Sequence, residues 1–385
     1  HYTDPAVATK MWEWLGGQLP DITLPRILEP ASGNGLFFGT MPSSMVVNSE
    51  MQGVEPDVSS LRVAGHLYPE VNFRNFNYQD TQTLPEYYDI AVTNVPFSDN
   101  LVLDGQNRDI SGKLSLHNYF FAKTAKQLRN GGVAMFITTH FTMDAKSKVQ
   151  RQLMQKLGLK FVGAVRLHNE AFKGIADTKV TTDIIVMQKV DPESVDMKAD
   201  DNGTFSRESP DRSLLRTKRD GTPGSKSVPV HPYFMANPNQ VLGTMTAEGQ
   251  MRASEAELTV ENTSGLDTQQ TAQRVSLALN NINSKLDRDA YRDGLSSRKD
   301  EAKPTKGSVL ETPSHMLDMP VGMLAIEGDT LLMKKSDQFS EVILQKLTDK
   351  AKESTNLFFD LRDARAELVS AELNPESKDA ELDIL

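Results

Sequence analysis

The residues with the clearest chemical content are Thr93-Asn94-Val95-Pro96-Phe97. They close an apolar run, Tyr88-Asp89-Ile90-Ala91-Val92, whose β-branched residues predict a buried strand. A strand that stops at Asn-X-Pro-aromatic sets an amide, a bare carbonyl and a flat ring side by side at a sheet edge. Pro96 restricts Val95 to an extended conformation, which keeps the Val95 carbonyl out of any helix. These groups suit a planar heterocycle with an exocyclic amine. Asn94 Oδ1 and the Val95 carbonyl accept from the amine, and Phe97 stacks on the ring.

A second chemical stretch lies upstream. The short apolar strand of Pro25-Arg26-Ile27-Leu28 runs through Glu29-Pro30-Ala31-Ser32 into the tight turn Gly33-Asn34-Gly35. Glycines there let a ligand approach the backbone. The next strand, Met51-Gln52-Gly53-Val54-Glu55, ends in an acid about twenty residues after the turn, the place from which nucleotide-type α/β folds hold both ribose hydroxyls. Its bland alternative is a surface glutamate at a strand end. Asp80 either accepts from an adenine amine in the same pocket or is a turn aspartate.

The elements that must position these groups alternate. Residues 6–18 carry Val7, Met11, Trp12 and Leu15 at helical spacing, capped by Thr3 or Asp4 with Pro5 at the first helical position. Helices are predicted at 57–66, 114–128 and 145–157, the second ending at the cap signal Arg129-Asn130-Gly131-Gly132. Strands are predicted at 71–74, 133–138, 160–166 and 182–188. This is an α/β pattern: a mostly parallel sheet with helices on both faces and an antiparallel final pair. Residues 98–113, rich in Gly, Asp and Asn, read as a mobile lid or substrate loop. Beyond 190 the expectation is a mainly helical, loop-rich extension: a linker or loops at 191–227, a helix within 264–290, a hairpin turning at Gly328-Asp329 and a helix over 336–373.

The 385-residue chain has room for two domains, with boundaries expected at 1–190 and 191–385. It lacks cysteine, which excludes disulfides and thiolate zinc sites and fits a reducing, cytoplasmic setting. No apolar run is long enough to span a membrane, and no signal peptide is visible. The start at His1 rather than Met suggests a piece of a longer polypeptide. The net charge of −10 argues against a simple nucleic-acid coat protein. Residues 1–190 are neutral, with 18 basic and 18 acidic side chains, so the deficit lies in the second half. Within that half, 207–226 is locally basic, with six basic residues against three acidic. Such a run faces phosphate or is a solvated loop. His117, His140 and His168 lack the spacing of a metal site and are expected in structural roles.

Taken in order, these motifs resemble the N6-adenine DNA methyltransferases that use S-adenosylmethionine, in their gamma arrangement. His1-Tyr2-Thr3-Asp4-Pro5 is similar to the N-terminal Tyr-Thr-Pro-Pro motif, Glu29-Pro30-Ala31-Ser32-Gly33-Asn34-Gly35 to the cofactor loop, and Asn94-Val95-Pro96-Phe97 to the catalytic Asn-Pro-Pro-Phe. The resemblance implies a Rossmann-like methyltransferase fold over 1–190 and S-adenosylmethionine as cofactor, held by Tyr2, Thr3, Glu29, Pro30, Ala31, Gly33, Gly35, Glu55 and Asp80. It implies Asn94, Val95, Pro96 and Phe97 as catalytic residues. Leu167-His168-Asn169-Glu170-Ala171-Phe172 looks like the motif whose aromatic takes the other face of the flipped base, so Phe97 and Phe172 would bind substrate. Double-stranded DNA is the implied partner and the bacterial host cytoplasm the implied location. The chain is most similar to methylase domains of phage or mobile-element methylase–helicase proteins of the antirestriction type, which would place a helicase-like region in the same polypeptide. Asp4 and Val95 depart from the two motifs, each replacing a proline. Two other readings stay open: a catalytically degenerate methylase fold serving as a DNA-binding or structural module, and a protein glutamine methyltransferase.

Overall fold

In the computed structural model, residues 3–19, 25–46, 49–172, 180–193, 205–217, 220–249, 257–297, 309–328, 330–335, 339–344 and 347–373 are described. The chain divides into two compact units, His1–Glu301 and Ala302–Leu385. The first is built on a seven-stranded sheet of β1 (Arg26–Glu29), β2 (Glu50–Val54), β3 (Asn72–Arg74), β4 (Tyr88–Asn94), β5 (Leu128–Thr139), β6 (Leu159–Arg166) and β7 (Thr182–Lys189). Its spatial order is β3-β2-β1-β4-β5-β7-β6. Strands β1 to β5 pair in parallel, whereas β7 runs antiparallel to both β5 and β6. This is the α/β, Rossmann-like methyltransferase arrangement that the alternating pattern and the antiparallel final pair predict.

Strand β4 is buried along its whole length, as expected of a central strand covered on both faces. Helix Pro5–Gln18 is capped by Asp4, whose side chain accepts from the Ala6 N–H at 2.8 Å. Its Trp12 Nε1–H donates to the Phe37 carbonyl at 2.8 Å, tying the N-terminal segment to the turn after β1. Helix Leu116–Gln127 gives way at once to β5, so Arg129-Asn130-Gly131-Gly132 is strand and not a helix cap. Gly131 is required for another reason: at φ 77° a Cβ there would meet the Ala290 carbonyl oxygen at 2.1 Å.

The sheet ends at Lys189, but its compact unit continues to Glu301. Beyond the sheet, the helices expected of the extension are joined by strands that the sequence pattern does not predict. The segment expected as linker or loops contains an antiparallel hairpin, β8 (Asp211–Thr217) with β9 (Pro223–Pro229). A second pair joins β10 (Thr244–Gly249) to β11 (Glu257–Glu261). Ser, Pro and Gly in the hairpin mask the period-two pattern in which Leu214 and Val228 face a small apolar cluster. Helix Thr268–Asn280, opened by an Asp267–Gln270 capping box, lies within 264–290 as expected.

The second unit carries an antiparallel sheet of β12 (Val309–Glu311), β13 (Leu324–Glu327), β14 (Thr330–Lys334) and β15 (Phe339–Leu344), in the order β12-β15-β14-β13. The hairpin at Gly328 is present. The helix expected from 336 begins instead at Asp349 and runs to Leu373. The β-branched and aromatic content of Phe339–Leu344 suits a strand, here one that pairs with two neighbours. No helix among the described residues is long and apolar enough to cross a membrane.

Candidate functional site

Strands β1 and β4 lie side by side with Ile27 opposite Ile90 and Leu28 opposite Ala91. Their carboxyl ends therefore present Glu29 and Asn94 at one edge, the edge at which open α/β sheets bind ligands. The turn after β1 is fixed by the backbone. Ser32 N–H donates to the Val54 carbonyl at 2.9 Å, and Gly35 N–H to the Ser32 carbonyl at 2.7 Å. The two glycines of the turn serve different ends. Gly35, at φ 81°, has the Tyr68 ring where a Cβ would stand, at 2.7 Å. Gly33, at φ 52°, has open space there. Gly35 is thus a packing requirement, while Gly33 leaves its backbone free for a ligand.

Glu55, just past β2, is held to that turn. Its Oε2 accepts from the Gly33 N–H at 2.8 Å and its Oε1 from the Asp57 N–H at 2.9 Å. Burial pushes its carboxyl upward against the pull of these two bonds. Thr3 enters from the N-terminal segment, and its Oγ1 accepts from Asn94 Nδ2 at 3.1 Å. Thr3, Glu29, Ala31, Gly33, Glu55, Asn94, Val95 and Pro96 together line one cavity of about 260 Å³.

Two buried polar atoms in this cavity's lining have no hydrogen-bond partner: Glu29 Oε2 and Asn94 Oδ1. Glu29 is only 2% exposed and Asn94 9%. Leaving such an atom buried and unmatched costs about 1–3 kcal/mol, which a ligand that pairs with it recovers. Burial first, and the charge of Glu55 second, drive the Glu29 carboxyl well above the usual range. Val95 is fully buried and donates its N–H to the Ile137 carbonyl at 3.0 Å. A proline at 95 has no such donor, so valine here extends the β4–β5 pairing by one bond.

The remaining candidates lie outside the lining. Tyr2 lies outside the described residues. Pro30 is buried behind the turn, and Gly35 faces Tyr68. Asp80 is exposed and accepts from Asn77 Nδ2 at 2.9 Å. Phe97 is half-buried against the main core, and Phe172 is half-buried in the turn after β6. Sequence reasoning passed over Asn34, Leu36, Phe37 and Ser60, which also line the cavity. Asn34 sits between two singled-out glycines, and Ser60 lies in the first turn of the helix after Glu55. Neighbourhood to those motifs was the available signal.

Each of the three histidines meets a partner within the fold. Burial pushes His117 down to about 4, and its ring meets the Ser98 carbonyl at 3.0 Å. His140 lies 3.1 Å from Asp144, and His168 Nε2 lies 2.9 Å from Thr271 Oγ1. Among the described residues no group of His, Asp and Glu could hold a metal ion.

No protein-family model matches the chain, and no curated protein matches it. Several solved structures share part of its shape. A type I restriction-modification system methyltransferase subunit from Streptococcus thermophilus is 15% identical with a TM-score of 0.43, covering 62% of this chain and 52% of its own. A protein from a study of type I restriction-modification assembly is 18% identical with a TM-score of 0.39, covering 49% and 42%. A TehB-like S-adenosylmethionine-dependent methyltransferase from Corynebacterium glutamicum is 13% identical with a TM-score of 0.31, covering 47% and 87%. The chain spans between 42% and 62% of the length of the first four such structures. Likeness at this level says nothing of substrate, and the fold assignment rests on the strand order and register above.

Proposed function

We propose that this chain is an S-adenosylmethionine-dependent methyltransferase acting on the exocyclic N6 amine of adenine in DNA. The observation that carries the reading is the unpartnered amide oxygen of Asn94, buried in a cavity it shares with the open Gly33 turn and Glu55. The donors present fit the cofactor. Glu55 offers a carboxylate to ribose hydroxyls, Gly33 leaves its backbone bare, and Glu29 offers a buried unmatched oxygen to a cationic amine. S-adenosylmethionine bound there supplies an electrophilic methyl group.

The chain's own residues then have defined tasks. Asn94 Oδ1 and the Val95 carbonyl accept from the adenine amine and orient its lone pair. Phe97 and Phe172 take the faces of a base flipped from the duplex, a movement that costs a few kcal/mol and that stacking offsets by roughly 1–3 kcal/mol per contact. Thr3, bonded to Asn94 Nδ2, holds the amide in orientation. Rate comes from positioning, with no strongly basic group required. Tyr2, Pro30, Ala31, Gly35 and Asp80 complete the cofactor set of this reading. Double-stranded DNA is its partner, and a phage or mobile-element methylase followed by a helicase-like region in the bacterial cytoplasm is its setting.

The test is incubation with unmethylated DNA and labelled cofactor, followed by nucleoside analysis. N6-methyladenine is the expected product. Cofactor binding without product on any DNA would favour the degenerate module, and product on a protein glutamine would move the substrate class.

A further inference from the structure

We infer that His117 is a positioning residue: it fixes the Ser98 carbonyl and through it holds Phe97 where that ring stacks on the target base, an inference that rests on the function proposed above. The catalytic motif leaves the sheet where β4 ends, and two backbone contacts bracket the departing segment. Val95 N–H bonds to the Ile137 carbonyl at 3.0 Å, and Leu101 pairs with Ser115, just ahead of the helix Leu116–Gln127. Between these contacts the His117 ring reaches the segment, with Nδ1 at 3.0 Å from the Ser98 carbonyl oxygen. A carbonyl only accepts, so Nδ1 carries the proton. Burial pushes the ring down to about 4 and keeps it neutral, which leaves Nε2 bare as an acceptor. Ser115 Oγ, 3.1 Å from Nε2, supplies the donor.

The surroundings commit the ring to one setting. His117 is buried, on the first turn of a helix whose Phe121, Ala122 and Ala125 are fully buried. Ser115 stands at the N-cap of that helix, yet its side chain makes no capping bond. A serine cap stabilises a helix by about 1 kcal/mol. Here the hydroxyl turns instead to His117 Nε2 and Gln150 Oε1, each at 3.1 Å. Gln150 Oε1 already accepts from Asn118 Nδ2 at 2.6 Å and from the Ser115 N–H at 3.3 Å, which leaves the single hydroxyl proton for the histidine. The relay from Ser115 through His117 to Ser98 therefore fixes tautomer, ring and carbonyl together. On the other side of Phe97, the ring of Pro96 limits the backbone. Phe97 thus lies between two fixed points, and a displacement of about 1 Å at a reacting centre costs on the order of 10²-fold in rate. An apolar side chain at 117 would serve packing; the bond to Ser98 is what a histidine adds.

The experiment compares His117→Asn with His117→Gln in the full chain. Both remove the ring, but the amide nitrogen of Asn stands at the place of Nδ1 and that of Gln at the place of Nε2, so only Asn keeps a donor for Ser98. With His117→Gln, kcat/KM for unmethylated DNA should fall by roughly tenfold to 10²-fold. With His117→Asn it should stay near the wild-type value, and KM for S-adenosylmethionine should be unchanged in both. Hydrogen exchange of the free chain reads the same anchor with no substrate present. The amides of residues 97–100 should exchange faster in His117→Gln than in the wild-type chain, and not in His117→Asn. Equal losses in the two variants overturn the assignment, because they report the packing of the ring alone, and so do two variants indistinguishable from wild type. Ser115→Ala, which forfeits no cap, carries the test if the His117 variants do not fold. It should speed exchange at 97–100, and unchanged exchange overturns the relay. A wild-type chain that makes no N6-methyladenine overturns the proposed reaction, while the exchange comparison still decides the anchor.

Discussion

Two polar clusters sit at the same edge of the same sheet, and they are built on opposite terms. One is Glu29 and Asn94, at the ends of β1 and β4, each with a buried oxygen that nothing meets. The other is Arg166, Asp144 and Asp183, at the ends of β5, β6 and β7. There Arg166 Nε and Nη2 bond both oxygens of Asp183 at 2.8 and 2.9 Å, and Nη1 lies 2.9 Å from Asp144 Oδ2. The Arg166 guanidinium also stacks over Phe234 at 3.9 Å, and Asp144 Oδ1 accepts from the His231 N–H at 2.8 Å. Each carboxylate of the second cluster therefore has partners within the chain, which marks it as a structural strut. The first lacks them, which marks it as a place for a ligand. Burial alone does not separate the two; the partners of their oxygens do, although Arg166 Nη1 meets Asp144 as a charge and not in hydrogen-bond geometry.

The largest effect should come from breaking the strut. Arg166→Met leaves Asp144 and Asp183 buried without their cation and should cost about 3–5 kcal/mol in denaturant unfolding. A loss below about 1 kcal/mol would remove the contrast between the clusters. Asn94→Ala should behave in the opposite way. It should cost only about 1 kcal/mol of stability, because its oxygen has no partner to lose and its Nδ2 loses only the bond to Thr3 Oγ1, while slowing methyl transfer by roughly 10²–10³-fold. Calorimetry should find cofactor binding largely intact; its loss would reassign Asn94 to the cofactor.

Acid should reach the site before it reaches Asp144 of the strut. Burial raises the Asp144 carboxyl, but Arg166 and His140 overcome that and hold it at about 2. Its folded value lies below the ordinary carboxylate value near 3.9, so its contribution is complete above that pH and is lost as pH falls toward 2. Burial raises the neighbouring Asp183 carboxyl in spite of Arg166, an effect of opposite sign, so at most about 2 kcal/mol of stability should disappear over that window, read as urea midpoints at successive pH values. Arg166→Met should flatten the profile.

How much of this was legible follows from what each part depends on. The sheet was legible because β4, β5 and β7 are continuous apolar runs, and burial on both faces needs little else. Asn94, Glu55 and Gly33 were legible because a short backbone motif carries their chemistry, and all three line the cavity. The strut was not, because Asp144, Arg166 and Asp183 meet only through strand register. The β8–β9 hairpin was hidden by its Ser, Pro and Gly content, and β15 by its position ahead of a long helix. Val95 was legible as a departure, but its meaning was not. Its N–H bond to Ile137 appears only when β4 and β5 are paired. Val95→Pro should forfeit that bond, at about 1 kcal/mol.

The smallest effect is the most specific to the open cluster. Burial and the nearby charge of Glu55 raise the Glu29 carboxyl, so the fold favours its protonated form. A folded value above the unfolded one means that Glu29 costs stability as pH rises past the ordinary carboxyl range. Glu29→Gln should therefore be more stable than the wild-type chain at alkaline pH and not at acid pH. A cationic ligand beside the unmatched oxygen favours the ionised form and releases the proton. S-adenosylmethionine should consequently bind the wild-type chain more tightly as pH rises, by at most about tenfold per pH unit for one proton. Its binding enthalpy should vary with the ionisation enthalpy of the buffer. In Glu29→Gln both dependences should shrink. A wild-type affinity flat in pH, with no proton released, would make Glu29 a second structural residue and leave Asn94 as the cluster's one unmatched group with a chemical task.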